Sequence, residues 1–239
     1  MGGNTVSVCN RPWMVHLVVH IDPDLDLPAC AGVLISDTQI LTSKICAEDF
    51  INNPPPGSTI LAKFADSEKY LETIREITSD KVTVNGDIAM VTFSPKVPTA
   101  KDFCILPVCL PDQTTVFTED SNQKCKIASW GFPVTDTLQE ADVALMPSYA
   151  CKLVLSALAS VNINIKTPSA GICTDPTGAT SSACKLDEGG MLLCQDQGDA
   201  TGNNWILAGV TYGAPCNASL PNTFVNVTSN LDFIMSNLV

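Results

Sequence analysis

The stretch 183–194, ACKLDEGGMLLC, combines side chains that could do chemistry with a backbone suited to a turn. Asp187 and Glu188 stand directly before a Gly-Gly pair, and a cysteine stands on each side. Glycine tolerates the backbone angles of tight turns, and flanking cysteines can pin a turn in place. The pattern therefore indicates an anchored turn that presents a carboxylate, a group that serves proteins as acid, base or nucleophile.

The chain offers only two histidines, His16 and His20, as neutral proton acceptors. Both lie in one apolar run, far in sequence from Glu188. Residues four apart in a strand share a face but stand about 13 Å apart, at roughly 3.3 Å per residue. The two rings therefore cannot hold one metal ion together, and we predict two partly buried strand histidines, no metal site and no cofactor.

Eleven cysteines are scattered through 239 residues, with no C-x-x-C pair and no histidine nearby, which disfavours zinc. This usage favours a disulfide-bonded protein that is secreted to the extracellular space. Sequons at Asn217 (NAS) and Asn226 (NVT) agree with secretion, and both are candidates for glycosylation. No apolar run has the length needed to cross a membrane.

The charge is strongly acidic, with 13 basic against 25 acidic residues and a net charge of −12. This balance argues against nucleic acid and anionic membranes as main partners. Two interpretations stay open: the charge keeps the protein soluble, or it attracts a basic protein partner.

Short runs rich in Val, Ile, Leu and aromatic residues alternate with turn-forming stretches, which predicts an all-β chain. The predicted strands are 14–21, 31–43, 87–93, 125–130, 190–194 and 205–212. One helix is predicted at the end of the chain, because Leu231, Ile234 and Leu238 form an apolar stripe that Ser229 can cap.

Seven segments in order resemble the trypsin/chymotrypsin family of serine proteases, over nearly the whole chain. They are MGGN with RPWMVHL, CAGVLISDTQILTSKIC, NGDIAMVTF, PVCLP, SWG with LQEADV, CKLDEGGMLLC, and GVTYG with LPNTFVNV. The resemblance implies one domain over 1–239, built of two packed antiparallel β-barrels and a C-terminal helix. It places the barrels at 14–110 and 111–227 and the helix at 229–238.

The family's catalytic residues are replaced at two of three places. Ile45 stands where the family has its histidine, and Glu188 stands where it has the nucleophilic serine, while Asp87 matches the catalytic aspartate. Leu186 replaces the glycine whose amide helps to bind the oxyanion, and its Cβ predicts an amide turned away. Serine attack needs a base and oxyanion donors, so the resemblance implies that no catalytic residue remains and that the chain is not an enzyme.

The surviving carboxylates raise two further questions. Without a histidine partner, Asp87 is expected to be a buried carboxylate that lacks one contact, at a cost of about 1–3 kcal/mol. Three ways of satisfying it stay open: Lys44, next to Ile45, could supply charge, water could enter, or polar backbone neighbours could suffice. An enzyme rebuilt from Asp87, Glu188 and Lys44 therefore stays an alternative, because a paired acid and base can catalyse other reactions.

The family's specificity pocket is changed as well. Ser182 matches the base of the pocket, which argues against a preference for basic side chains, and Tyr212 and Gly213 belong to a pocket strand. Asn222 replaces a glycine of the pocket wall, where its side chain either fills space meant for substrate or turns outward.

By resemblance, four disulfides are expected: Cys30–Cys46, Cys125–Cys194, Cys151–Cys173 and Cys184–Cys216. Cys109 matches a family cysteine that tethers an upstream chain or pro-segment. This leaves Cys9 and Cys104 able to pair with each other, and one free buried thiol is the alternative.

These observations predict a secreted, proteolytically inactive serine protease homologue that works by binding proteins. Cascade cofactor, decoy, and regulator of immunity or proteolysis are the roles that inactive homologues of this kind serve. The rebuilt enzyme is one alternative, and a structural or storage protein is another. Turnover would identify the rebuilt enzyme, and a specific, saturable partner would exclude a structural protein.

Overall fold

The computed structural model of the chain describes residues 2–21, 25–65, 73–100, 104–117, 123–131, 137–196 and 204–239. They form two curled antiparallel sheets, as the resemblance implied. The first sheet has the strand order β6-β5-β2-β3-β4-β8-β7. Its strands are β2 (Met14–Ile21), β3 (Leu25–Ser36), β4 (Gln39–Ser43), β5 (Ser58–Phe64), β6 (Thr73–Ile77), β7 (Val82–Asn85) and β8 (Ile88–Thr92).

The second sheet has the order β1-β10-β9-β13-β14-β15-β12-β11. Its strands are β1 (Asn4–Thr5), β9 (Cys125–Ser129), β10 (Gln139–Val143), β11 (Leu145–Met146), β12 (Gly171–Thr174), β13 (Met191–Gln195), β14 (Trp205–Gly213) and β15 (Thr223–Asn226). The chain thus starts on the second sheet, where Asn4 pairs with Glu140, before it builds the first. An ion pair between Arg11 and Glu140 joins the same regions.

A single buried cluster connects the two sheets. It contains residues of both, including Val15 and Leu41 from the first sheet and Met191 and Val210 from the second, all fully buried. Burying a side chain of this size stabilises the fold by about 1.5–3 kcal/mol. The indole N–H of Trp13 also donates to the sulfur of Met191 at 3.1 Å. One continuous cluster of apolar side chains from both sheets therefore lies beneath the cleft.

The predicted strand 14–21 is confirmed in full, whereas the predicted run 31–43 is part of a hairpin of β3 and β4. Two residues, Asp37 and Thr38, connect these strands. The run contains no glycine or proline at the turn, so a continuous strand was the simpler interpretation.

Three helices accompany the sheets in the described part of the chain. The first, α1 (Lys44–Cys46), continues into a wider helical turn (Ala47–Ile51). The second, α2 (Ser148–Ser160), was not predicted, although its Ala, Leu and Lys content favours a helix. Its solvent-facing side carries the exposed residues Tyr149 and Leu153. The sequence therefore lacks the separation into apolar and polar faces by which an amphipathic helix is recognised.

The C-terminal helix α3 spans Leu231–Asn237 and follows a 3-10 turn (Thr228–Asn230). Leu231 and Ile234 are buried, which confirms the apolar stripe. The prediction that Ser229 caps the helix was wrong, because Ser229 lies inside the 3-10 turn and donates its own N–H to Asn226 Oδ1 at 3.2 Å. None of the described helices combines the length and the apolar character that a membrane span requires.

Candidate active-site cleft

The turn at 184–190 is anchored by the side chain of Asp187. Its two carboxylate oxygens accept the backbone N–H groups of Gly131 (3.0 Å) and Cys184 (2.8 Å). Burial raises the pKa of Asp187, and these hydrogen bonds lower it in part. Gly189 must be glycine, because its φ is +84° and a Cβ there would lie 2.0 Å from the carbonyl oxygen of Ala31. The sequence-predicted tight turn is therefore present.

Glu188 directs its carboxylate back onto this turn. The N–H of Leu186 donates to Glu188 Oε2 at 2.8 Å. Burial raises the pKa of Glu188, while the amides of Glu188 and Leu186 and the charge of Lys166 favour its ionised form. The chain's own carboxylate thus binds the amide that would receive an oxyanion.

The expectation that the Leu186 amide turns away was wrong. Leu186 adopts φ +75°, a conformation that glycine normally takes, and its N–H points at the site. A charge-assisted hydrogen bond to a carboxylate is stronger than a neutral one. We infer that this hydrogen bond offsets the backbone strain of the positive φ at Leu186.

Ile45 lies on α1, at the place that resembles the family's histidine position. Ser43 starts the helix, since its Oγ accepts the N–H of Cys46 at 3.1 Å. Ile45 is half-buried and presents only carbon atoms to the cleft that it lines. It supplies neither a lone pair nor a proton.

The two histidines lie elsewhere, as predicted. His16 is buried, and its ring stacks on Trp130 with 4.5 Å between centroids. His20 is half-exposed, and its Nδ1 lies 2.7 Å from Asp26 Oδ1. Neither residue lines the cleft that Ile45 lines.

Asp87 has the polar neighbours that the sequence left open as one way of satisfying it. It is half-buried, and its oxygens accept the N–H of Ser169 at 2.7 Å and the hydroxyl of Tyr212 at 3.0 Å. Burial alone would raise the pKa of Asp87, but these hydrogen bonds and the charge of Lys44 lower it overall. In turn, burial and the neighbouring Asp87 raise the pKa of Tyr212 to about 12. Asp87 therefore has a complete set of partners without a histidine.

Lys44 forms an ion pair with Glu48 on its own helical turn. Its ammonium lies 3.6 Å from Glu48 Oε1, one helical turn ahead. No hydrogen bond connects Asp87 with Glu188 among the residues that the structure describes. Within the same residues, no cluster of three or more His, Cys, Asp or Glu side chains could hold a metal ion.

The groove beside Glu188 has a volume of about 320 Å³. Its lining is mostly apolar with a charged rim, and it consists of Cys30, Ile45, Asp49, Phe50, Asn164, Ile165, Lys166, Lys185, Leu186, Glu188, Ala214 and Pro215. The contribution of residues 164–166 was not foreseen, because they belong to an irregular connection whose position no sequence pattern indicates.

The former specificity pocket is filled by Asn222. This residue is 3 % exposed, and its Oδ1 accepts the Ser182 hydroxyl at 2.9 Å and the Ala183 N–H at 3.0 Å. Its Nδ2 donates to Thr174 Oγ1 at 3.2 Å. Of the two orientations left open by the sequence, the structure has the inward one, which takes up the base of the pocket.

All four expected disulfides are present, and Cys9 pairs with Cys104. Cys109 is free and exposed, so the alternative of a buried thiol is wrong. Its tether to an upstream segment stays a prediction. Of the two sequons, Asn217 is exposed, whereas Asn226 is half-buried at the end of β15.

Two antiparallel sheets enclose a cleft whose walls carry an aspartate, a turn lined with amides and a loop held by a disulfide. This arrangement defines the architecture of the two-barrel serine proteases. The chain belongs to this family, since the model of the trypsin family, described as Trypsin, matches residues 1–234.

A similar protein is Serine protease 56 of Mus musculus, which is 26% identical over 250 aligned residues. The alignment covers 100% of this chain but 38% of the mouse protein. The chain thus spans less than two fifths of the length of that relative.

Proposed function

We propose that this trypsin-family chain is proteolytically inactive and acts by binding another protein. The observation that carries the proposal is the Glu188 carboxylate, which accepts the Leu186 N–H at the place where an oxyanion would develop. A negative charge there opposes the charge that forms in acyl transfer. Ile45 offers no base, so the cleft lacks the histidine that activates the serine in this family.

The scaffold suits a binding role outside the cell. Five disulfides fit a protein from an oxidising compartment, and they hold the sheets and their loops in place. Residues 52–57, NNPPPG, form a fully exposed loop, and loops on a rigid scaffold are common binding elements. The net charge of −12 favours a partner with a basic surface. We therefore infer a secreted regulator, cofactor or decoy.

Enzyme assays test the first half of the proposal. The protein should turn over neither peptide nor ester substrates, and a fluorophosphonate probe should leave the folded chain unlabelled. An active trypsin-like protease, handled in the same way, serves as the positive control. Turnover that copurifies with the chain and disappears in Glu188→Ala would identify a rebuilt enzyme instead.

Capture of partners from extracellular fluid, with mass spectrometry, tests the second half. For a captured basic partner, the association rate should fall as salt rises, because exposed charges are screened over about 8–10 Å near physiological ionic strength. Replacing residues 52–57 by a Gly-Ser loop of equal length tests that loop. A salt-insensitive rate would contradict electrostatic attraction, and failure to find any saturable partner would favour a structural or storage protein.

A further inference from the structure

A second groove, called the lateral groove below, is lined by residues 115–117 and by the stretch that joins β15 to α3. It has a volume of about 390 Å³, and none of its described lining residues is charged. The groove beside Glu188 differs, because Asp49 and Lys166 also line it. A charged ligand would find no opposite charge in the lateral groove, so its lining favours a neutral one.

The lateral groove leaves apolar side chains in contact with solvent. Val116 is 72 % exposed, and Phe117 and Met146 are only half-buried. In the same groove, the hydroxyl oxygen of Thr228 is buried and has no hydrogen-bond partner among the described residues. Buried polar groups normally have a partner. A sugar residue suits both features, because its ring has an apolar face and its substituents donate and accept hydrogen bonds.

Hydrogen bonds hold the wall of the lateral groove that carries Val116. The Thr115 hydroxyl donates to Asp112 Oδ1 at 2.9 Å, and the Thr115 N–H donates to Asp112 O at 3.2 Å, which forms a turn. The side-chain amide of Gln113 donates to Asp232 Oδ1 on α3 at 2.8 Å. This bond joins the turn to the helix that follows the opposite wall, so the groove is preformed.

Asn226 lines the lateral groove and begins the sequon NVT. Its N–H donates to Ala170 O at 3.0 Å, and its C=O accepts from Asn230 Nδ2 at 2.8 Å. Its Oδ1 accepts the Ser229 N–H at 3.2 Å. Within the described part of the chain, Nδ2 is the polar atom of Asn226 without a hydrogen bond. This nitrogen is the atom to which an N-linked glycan is attached.

We propose that Asn226 carries an N-linked glycan whose first N-acetylglucosamine occupies the lateral groove. The new bond joins C1 of the sugar to Nδ2. The bond from C1 to the lipid diphosphate of the oligosaccharide donor breaks, and one Nδ2 hydrogen leaves as a proton. The three hydrogen bonds of Asn226 stay intact, and the sugar ring covers Val116 and Phe117. The inference goes beyond the proposed function, because the lateral groove shares no residue with the groove beside Glu188.

The other sequon provides a control within the same molecule. Asn217 is exposed on a turn, where its Oδ1 accepts the Ser219 N–H at 2.9 Å. The full chain is secreted from eukaryotic cells, and peptide mapping by mass spectrometry measures the occupancy of both sites. Under native conditions, peptide N-glycosidase should release the Asn226 glycan at least tenfold more slowly than the Asn217 glycan, which corresponds to about 1.4 kcal/mol. After reduction and denaturation, the two rates should be similar.

Substitutions in the wall of the groove test the contact itself. Val116→Ser should raise the native release rate at Asn226 by about threefold or more, because methyl groups that the sugar covers are lost. Val84→Ser is the matched control on β7, since Val84 is also exposed, and it should change neither rate. Phe117→Ala should have a larger effect. Because Phe117 also packs on a buried cluster, Val116→Ser keeps the test decisive if Phe117→Ala fails to fold.

Methionine oxidation gives a second readout. Thr228→Ala abolishes the sequon and keeps Asn226, whereas Thr228→Ser keeps both. Peroxide should oxidise Met146 faster in Thr228→Ala than in the wild type and Thr228→Ser, because the glycan no longer covers the groove. Met235, exposed on α3 and outside the groove lining, should react equally fast in all three proteins.

Three results would overturn the inference. They are an unmodified Asn226 beside a modified Asn217, two unmodified sequons, and an Asn226 glycan that is released as fast as the Asn217 glycan and leaves Met146 unprotected. Proteolytic activity of the wild type would contradict the proposed function and leave this inference intact, so the two failures are distinguishable.

Discussion

Asp187 and Asp87 both border the cleft, but the chain holds them in different ways. Asp187 is 5 % exposed and receives two backbone N–H groups, from Gly131 and Cys184, that belong to the frame of the turn. Asp87 is half-buried and receives the N–H of Ser169 and the hydroxyl of Tyr212. At Asp187 the effect of burial exceeds that of the hydrogen bonds and raises the pKa. At Asp87 the hydrogen bonds outweigh burial, and the pKa is lowered.

The comparison shows which contacts at the cleft belong to the frame of the turn and which do not. Removing Asp187 would leave the N–H groups of Gly131 and Cys184 without an acceptor, so its role in folding does not depend on catalysis. Asp87 is less buried, and Ser169 and Tyr212 bind it without a histidine. Glu188 follows Asp187 directly, so its position depends on the turn that Asp187 anchors.

The largest expected effect concerns catalytic reversion. The double variant Ile45→His/Glu188→Ser should remain roughly 10⁴-fold below an active family member in kcat, because Asp87 is bound to Ser169 and Tyr212 and cannot orient the new histidine. Steady-state turnover of peptide esters measures this deficit.

Third substitutions in that background separate the causes. Asn222→Gly should raise activity, since it clears the pocket base. Leu186→Gly should raise it as well, because the double variant lacks the Glu188 carboxylate that holds the Leu186 amide toward the site. Unchanged activity after Leu186→Gly would show that the amide keeps its direction without Glu188.

The next effect is on stability. Asp187→Ala should lower the free energy of unfolding by about 3–5 kcal/mol, since the buried N–H of Cys184 and the half-buried N–H of Gly131 lose their acceptor. Asp87→Ala should lower it by about 1 kcal/mol, because water can reach the groups it exposes. Urea unfolding of both variants measures the difference. Equal losses would refute the distinction between the two aspartates.

The smallest effect is on the pH dependence of stability. The folded-state pKa of Glu188 lies above its ordinary value of 4.5, so its contribution is fully present below pH 4.5 and is lost as pH rises through the raised pKa. The wild type should therefore lose stability relative to Glu188→Gln as pH rises above 4.5.

Asp87 should show the opposite sign. Its folded-state pKa lies below 3.8, so its contribution is present above pH 3.8 and is lost as pH falls through the lowered pKa. The wild type should lose stability relative to Asp87→Asn only in that acidic range. Urea unfolding between pH 3 and 7 measures both differences, and slopes of the same sign would show that the two carboxylates do not differ as described.

Several features of the chain were determined by the sequence alone. Ile45 and Glu188 decide which protons and lone pairs exist at those two positions, and no folding can change that. The two-sheet fold and four of the five disulfide pairs followed from family resemblance, which left the Cys9–Cys104 pair open. These features depend on residue identity and on a fold that tolerates many changes at its surface.

Other features were decided by tertiary structure. Leu186 was expected to turn its amide away, but the Glu188 carboxylate holds it at φ +75°. Asn222 could have turned outward, but Ser182, Ala183 and Thr174 supply partners for an inward side chain. In both cases a local conformational preference competes with hydrogen bonds whose partners become neighbours only in the folded chain.

Two hydrogen bonds beside the cleft depend on tertiary structure most of all. Ser169 binds Asp87 across 82 residues of sequence, Thr223 binds Lys166 across 57, and no local pattern near Ser169 or Lys166 points to these partners. A sequence shows which groups can donate or accept a hydrogen bond, but the direction of each group is set by the packing of both sheets. For that physical reason, the sequence could show that Ile45 and Glu188 stand at the positions that resemble the family's histidine and serine, and only the structure showed which other residues line the groove beside them.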